Sequence, residues 1–491
     1  MKWLSLGLIL LLTSCGIWKH TESIDPHDAR YAPKAMKYKG PVIPRLPKDI
    51  KMDTVSFSAN SSAALAPYDP HITKGALGNG VSYYIRSNTS EPGSISLKWV
   101  LGVGAIHEPN SYPGTMHILA HLAEHYFNSR TLGRGAHTRI EVTYSSFRVS
   151  MILDTSKQSI TPVLDLLSQF TESLDLSASA LDRAKRAALS CTSHVYSSYT
   201  DEMAKILFSA SKYASHLPYY RDSRLLSIPD DSLRFFFHQW FKPEHSAIIL
   251  VGDIDSKRMK HHITQTFGAN PSESKYKHVP VFKAPLHRKL YVGILPGGEE
   301  RWIYWVQHRP HASQHTRKTL LKVMPRRILP VLWSNRVKKR FPADSLLYNG
   351  FSDGDEGVDA WSMKWSVPED KSALALVKEI REMGAQISKE GFTDSEIAEA
   401  KRQLLQSLHR PGRRTNESYV DSYARNFLYS YPIPSLEQES EMLEAVLSSL
   451  SSADIHKLFR QWFSKRNRTV ILMGKRHQLP TEREVRSVLP K

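Results

Sequence analysis

Two blocks of the chain repeat the same pattern 222 positions apart, beginning at 239 and at 461. The block QWFKPEHSAIILVG at 239–252 is matched by QWFSKRNRTVILMG at 461–474. Upstream of each block a helical stretch carries the tripeptide A-K-R, in SASALDRAKRAALS and in FTDSEIAEAKRQLLQS. One shared tripeptide would be noise, but matched blocks in the same order indicate related units. We therefore expect two tandem domains, at 71–285 and 286–491.

Inside each copy the hydrophobic pattern places strands first and helices afterwards. In the first copy GVSYYIRS and SISLKWVLGV read as neighbouring strands, TRIEVTYSSFRVSMIL reads as a long strand, and SAIILVG closes the unit. Several helical stretches lie between the long strand and the last one. Strands grouped apart from helices are typical of the α+β class. Each domain is therefore predicted to be a mainly antiparallel sheet with helices layered on one face.

The chain begins with MKWLSLGLILLLTSC, one lysine followed by an apolar run that is too short to span a bilayer. Its L-T-S-C ending resembles the lipobox of bacterial lipoprotein signals, which predicts removal of residues 1–14 and acylation of Cys15. An ordinary secretory signal is the alternative. Residues 15–70, rich in Pro, Lys, Ser and Ala, have the composition of a tether. We expect a lipid-anchored protein of the cell envelope that faces the periplasm or the exterior.

The formal net charge of +18 is high for a chain of 491 residues. Such a charge fits an anionic membrane surface, acidic peptides or a polyanion. The basic residues are scattered, and no RNP, zinc-finger or P-loop pattern accompanies them, which argues against nucleic acid as a partner. A basic scaffold that binds polyanions remains an alternative function.

The stretch PGTMHILAHLAEHYFNS at 113–129 carries three histidines spaced by four residues, His117, His121 and His125. That spacing places them along one side of a helix, with a drift of about 40° per step. Imidazoles at i and i+4 can bind one zinc ion. The pair in HLAEH frames Glu124, whereas the pair in HILAH frames an alanine.

Several segments together resemble the insulinase, pitrilysin and processing-peptidase family of zinc endopeptidases: DPHITKGALGNGVSYYIRSN, VGAIHEPNSYPG, GAHTRIEVTYS and SIPDDSLRFFFHQWFKPEHSAIILVGDID. The resemblance covers about residues 69–480. It implies a two-domain α+β fold and an inverted zinc motif, H-x-x-E-H, on one helix. The glutamate of that motif takes a proton from zinc-bound water, and a glutamate from a later helix completes the ligands.

Two registers of the motif compete. In the first, HLAEH is intact and Glu124 is the base. In the second, HILAH supplies the two ligands and Ala120 stands where the base should be. The flanking residues favour the second register, because the family's first histidine usually follows a glycine by three residues, as His117 follows Gly114.

The later helix lacks the third ligand that the resemblance implies. Its sequence KRAALSCTSH places Lys185 at the family's first glutamate and Cys191 at the ligand glutamate. A thiolate can bind zinc, although a buried cysteine is more often a small core residue. Glu202 follows about three helical turns later, too far from the place of Cys191 to replace it.

These features predict a peptide-binding protein with impaired or lost hydrolysis and with weak or absent zinc. In the family two such halves close around a peptide chamber, and this chain supplies one half. We therefore expect a homologous second subunit or a homodimer as partner, besides the peptide and the membrane. The alternative is an active zinc endopeptidase that uses His121, Glu124 and His125.

Overall fold

The computed structural model describes residues 68–130, 136–156, 159–191, 205, 214–217, 223–268, 290–297, 300–311, 316–352, 358–409, 414–465 and 467–489. The predicted signal peptide, Cys15, Glu202 and all but the last three residues of the predicted tether lie outside these ranges. Within the ranges, no helix combines the length and the apolar character that crossing a bilayer requires.

The first repeat contains, in chain order, β1 (Ile72–Ala76), β2 (Ser82–Ser87), β3 (Ser94–Leu101), α1 (Thr115–Ser129), β4 (Ala136–Val142), β5 (Phe147–Asp154), α2 (Thr161–Ser173), α3 (Ala178–Ser190), α4 (Asp230–Trp240), β6 (Ser246–Gly252) and α5 (Ser256–Phe267). The second repeat contains β7 (Leu290–Pro296), β8 (Trp302–Pro310), α6 (Arg317–Val323), α7 (Ile328–Arg340), β9 (Leu346–Ser352), β10 (Val358–Ser366), α8 (Ala373–Glu390), α9 (Asp394–Leu408), α10 (Asn416–Tyr429), α11 (Leu436–Ser449), α12 (Ser452–Trp462), β11 (Arg468–Gly474) and α13 (Glu482–Val488).

The two sheets have the same topology. The first has the strand order β1-β2-β6-β3-β5-β4, and the second has the order β7-β11-β8-β10-β9. The first sheet has the extra strand β1. In each sheet the strand that comes last in the chain pairs in parallel with a strand near the start of the repeat, β6 with β2 and β11 with β7. All other pairs are antiparallel. The predicted α+β class is therefore confirmed, and the matched sequence blocks fall on the equivalent junctions α4–β6 and α12–β11.

Each repeat has its own hydrophobic core between one face of its sheet and its helices. In the first repeat, side chains of α1 to α5 pack against that face of the sheet. Several aromatic rings meet there, and Trp99 lies edge-on to Phe147 and Phe170 at centroid distances of 6.2 and 5.7 Å. In the second repeat, Trp305 and Trp333 are completely buried. Burial of such large rings stabilises each layered unit.

The other face of the first sheet is covered by α10, a helix of the second repeat. Tyr84 of β2 stacks on Tyr423 of α10 with ring centroids 5.9 Å apart and an interplanar angle of 16°. Around them Val420 joins side chains of β3 and β6 in a third hydrophobic cluster. Polar contacts border it, since the side-chain amide of Asn416 donates to the carbonyl of Ser94 at 3.1 Å. The helices predicted on one face are thus accompanied by a further helix on the opposite face.

Candidate metal centre

The helix that carries the histidines is fixed at its N-terminus by a buried acid. Gly114 precedes α1 with φ of +94°, a conformation that glycine adopts readily. The carboxylate of Glu108 accepts hydrogen bonds from the backbone N–H groups of Gly114 at 2.8 Å and of Met116 at 2.7 Å. A carboxylate in this place pairs backbone donors that the helix leaves open and offsets the positive end of its dipole.

Sequence reasoning did not single out Glu108. The available signal was an acid five residues before the P-G that opens a helix. Helix caps usually come from the residue next to the first turn, whereas Glu108 lies before the loop 109–114 and its side chain reaches forward to the start of α1. The side chain is completely buried, so this acid fixes the position of α1 and hence of its imidazoles.

The three histidines of α1 differ in their surroundings. His117 is completely buried, His121 is mostly buried, and His125 is exposed one turn further along. The Nε2 atoms of His117 and His121 lie 3.2 Å apart, with the ring centroids separated by 5.0 Å. Both imidazoles therefore direct Nε2 towards one point inside the protein.

Cys191 lies close to the same point. It caps the C-terminus of α3, a helix that packs along α1, and its exposed fraction is only 9%. The donor atoms of His117, His121 and Cys191 all lie within 4.8 Å of one another. Within the described ranges this is the one group of three potential metal ligands that converges, and it does not include His125.

Glu124 contacts Nδ1 of His121, not the Nε2 atom that faces His117. Its Oε2 atom lies 2.9 Å from Nδ1 of His121, the ring nitrogen that faces away from His117. A carboxylate on that nitrogen orients an imidazole and raises its basicity towards a metal. Burial lowers the pKa of His121, but side-chain hydrogen bonds with Cys191 and with Glu124 outweigh that effect and raise the pKa from 6.5 to about 9.

Two further positions of the expected motif have no metal-binding chemistry. Ala120, which stands between His117 and His121 in the second register, is a buried part of the core. Lys185, in place of the family's first glutamate, is mostly buried and its Nζ lies 2.6 Å from Oδ1 of Asp230 at the start of α4. This ion pair joins α3 to α4 and so helps to hold the end of α3 beside α1.

The donor set can hold a zinc ion, since zinc accepts imidazole nitrogen and thiolate sulfur. His117, His121 and Cys191 would be its protein ligands, and Glu124 would support one of them. The structure thus joins the histidine pair of the second register to Cys191. Glu124 and His125, the other members of the first register, lie outside that group.

Comparison with known proteins agrees with the fold. A family profile described as "Peptidase M16 inactive domain" matches residues 227–404. Over 433 residues the chain is 21% identical to a "Zinc protease PQQL-like" protein of Arabidopsis thaliana, which covers 84% of this chain and 42% of the relative. The crystal structure of the first half of the periplasmic protease PqqL from Escherichia coli superposes with a TM-score of 0.73 at 15% identity, covering 87% of this chain and 97% of that chain.

The chain is homologous to the M16 zinc peptidases. This bears out the resemblance drawn from the sequence. The segment that the M16 profile matches begins after α1 and Cys191, so the match carries no information on the metal ligands. The M16 relationship supplies the expectation of zinc, and the three side chains supply the means to bind it.

The chain spans less than half the length of the first M16 relatives that it matches. The complete crystal structure of PqqL from Escherichia coli shows the same relation. It superposes with a TM-score of 0.74 at 16% identity over 87% of this chain and only 50% of that chain. The present fold therefore corresponds to one half of a two-half M16 protease.

Proposed function

We propose that this chain is a peptide-binding M16 homologue that has lost hydrolysis. The observation that carries the proposal is the identity of the converging histidine pair. In the register His117–His121 the position of the catalytic glutamate is occupied by Ala120. The glutamate of the intact motif, Glu124, is instead bonded to Nδ1 of His121.

The loss of hydrolysis follows from the need for a base. A bound zinc ion would act as a Lewis acid, but attack by water also requires a side chain that takes its proton. The methyl group of Ala120 cannot accept a proton. Glu124 is held on the side of the His121 ring opposite to the Nε2 atom that faces the other ligands. On this proposal Ala120 and Glu124 leave the centre able to coordinate a metal but without a general base.

Peptide binding is supported by the open edge beside α1. β4 is an edge strand of the first sheet, and among the described strands it pairs only with β5. β4 also lies against α1. The backbone groups on the free side of such a strand can pair with an extended peptide. A peptide bound there would run next to the histidine pair.

We further propose that the chain acts at the cell envelope, held there through Cys15, and together with a homologous second half. The lipobox-like L-T-S-C supports the anchor. The half-length correspondence to PqqL supports the partner, which would be a separate subunit or a second copy of this chain. The peptide chamber would then be completed by the partner.

The test is cleavage of unstructured peptides by the purified chain in the presence of zinc, together with peptide binding. We expect binding without cleavage. The variants Ala120→Glu and Ala120→Gln are compared to test whether a restored base is enough for zinc-dependent cleavage. Only the glutamate of the first variant can accept a proton. Zinc-dependent cleavage by the unmodified chain would refute the proposal, and its loss in Glu124→Gln at saturating zinc would establish the intact motif as active.

A further inference from the structure

We propose that Cys191 binds the metal as a thiolate, so that this centre is selective for soft d10 ions such as Zn(II), Cd(II) and Cu(I). The inference deepens the proposed function by naming the metal class of the same centre, but it does not require that hydrolysis be lost. It concerns a departure from the relatives, because the resemblance implies a carboxylate oxygen where this chain presents sulfur.

The spacing of the donor atoms supports the assignment. Two nitrogens bound to zinc at 2.0–2.1 Å with tetrahedral angles lie roughly 3.3–3.4 Å apart. The Nε2 atoms of His117 and His121 are 3.2 Å apart. A sulfur at 2.3 Å from the same ion would lie about 3.6 Å from each nitrogen. The donor atoms already lie within 4.8 Å of one another, so each nitrogen–sulfur distance has to shorten by at most about 1.2 Å to complete the set.

The surroundings of Cys191 favour a role beyond filling space. The residue ends α3, and α3 is fixed by the Lys185–Asp230 ion pair and by its packing along α1. A cysteine that served only the core would be expected to meet apolar side chains, whereas this thiol lies beside two imidazole nitrogens. The carboxylate of Glu124 on Nδ1 makes His121 a better ligand.

The ligand chemistry determines the preferred ion. Thiolate is a soft ligand and selects Cu(I) and zinc, whereas carboxylate, carbonyl and water suit Mg, Ca and Mn. Replacing an oxygen donor by Cys191 therefore moves the selectivity of the centre away from manganese and towards cadmium and copper(I).

Cobalt(II) reports directly on the bond between sulfur and metal. The full chain, washed with chelator and kept under anaerobic conditions, is titrated with Co(II) and its near-ultraviolet absorption is recorded. We expect a thiolate-to-cobalt charge-transfer band that is abolished in Cys191→Ser. The band should persist in His125→Ala and in Glu202→Gln, which alter the exposed histidine and the downstream acid. It should be lost or strongly reduced in His117→Ala and His121→Ala.

Selectivity provides the second readout. Competition between Cd(II) and Mn(II) is measured for the unmodified chain and for Cys191→Glu, which restores an oxygen ligand. For the unmodified chain we expect a strong preference for Cd(II) over Mn(II). In Cys191→Glu the ratio of Cd(II) affinity to Mn(II) affinity should fall by more than the roughly 10–100-fold loss of metal affinity that removal of an outer-shell partner causes. Circular dichroism and thermal unfolding of the variants separate loss of the ligand from loss of the fold.

Three results would overturn the inference, two of them in the cobalt spectrum. One is cobalt binding without a charge-transfer band, and the other is a band that survives Cys191→Ser in a folded protein. A chain that binds no cobalt or cadmium also refutes it. These outcomes are distinct from those of the peptide assay. A chain that shows the band and cleaves peptides contradicts only the proposed loss of hydrolysis, and a chain without the band that leaves peptides intact contradicts only the thiolate ligand.

Discussion

The carboxylate of Glu108 accepts a hydrogen bond of 2.7 Å from the backbone N–H of Met116, the residue that precedes His117. Glu108 is completely buried and also pairs with the N–H of Gly114. Its removal would leave buried backbone donors without a partner. We expect Glu108→Ala to lower the free energy of unfolding by about 1–3 kcal/mol, measured by urea denaturation.

The matched control is Glu172→Ala, which alters an exposed acid of α2. We expect it to change the free energy of unfolding by less than about 0.5 kcal/mol. Equal effects of the two substitutions would show that Glu108 does not stabilise the start of α1.

Glu124 should act on metal affinity through His121 and not as a base. Its Oε2 lies 2.9 Å from Nδ1 of that ring. Loss of an outer carboxylate partner costs roughly 10–100-fold in metal affinity, and we expect a loss of that size for Glu124→Gln in a zinc titration against a competing chelator. His125→Ala serves as the control on the same helix and should bind zinc with unchanged affinity. A reduction by His125→Ala comparable to that by Glu124→Gln would favour the intact H-x-x-E-H register.

The stack of Tyr84 on Tyr423 should contribute strongly to the stability of the first sheet. Tyr423 is 1% exposed, and its ring fills the space between α10 and that sheet. We expect Tyr423→Ala to lower the free energy of unfolding by about 3–5 kcal/mol, as for other large buried aromatic rings. Tyr423→Phe keeps the ring and should cost clearly less. Similar losses for both variants would contradict a packing role for the ring.

Stability should decrease in mild acid because of His308, a buried residue of β8. Burial lowers the pKa of His308 from 6.5 to about 4, and Nε2 lies 3.2 Å from Oγ1 of Thr469. Between pH 6.5 and 4, therefore, His308 binds a proton in the unfolded chain but stays neutral in the folded chain. The free energy of unfolding then falls as the pH falls through that range.

The unfolding free energy of His308→Gln, which cannot bind this proton, should depend less on pH between 6.5 and 4 than that of the unmodified chain. His238→Gln, at an exposed position of α4, is the control and should leave the pH profile unchanged. Parallel pH profiles for His308→Gln and the unmodified chain would refute the prediction.

The sequence predicted the fold class because its signals are local and occur twice. The QWF blocks end an amphipathic helix and begin a buried strand, and the same junction occurs at α4–β6 and α12–β11. The crossing of α10 onto the first sheet was not predicted. It depends on contacts between residues more than three hundred positions apart, such as Asn416 with Ser94. No periodicity within one segment reveals which sheet its apolar face will cover.

The candidate site was predicted in its residue types but not in its arrangement. A spacing of four placed three histidines on one side of α1, yet it could not separate a buried imidazole from an exposed one. The partner of the pair, Cys191, comes from α3 and becomes adjacent only through helix packing. Glu124 could be read as a base from the motif alone. Its contact with Nδ1 of His121 depends on the side-chain rotamers of both residues, which the motif does not specify. Glu108 was missed because its hydrogen bonds cross a loop.

The packing of α10 of the second repeat on the first sheet bears on how the polypeptide tolerates cleavage. If a protease cut the connection between α5 and β7, the first piece would lose a cover of tyrosine and valine side chains, and the second would carry an exposed apolar helix. Each fragment would thus cover apolar surface that the other exposes. A nicked molecule should remain a noncovalent complex, and the two pieces, expressed separately, should need each other to stay in solution.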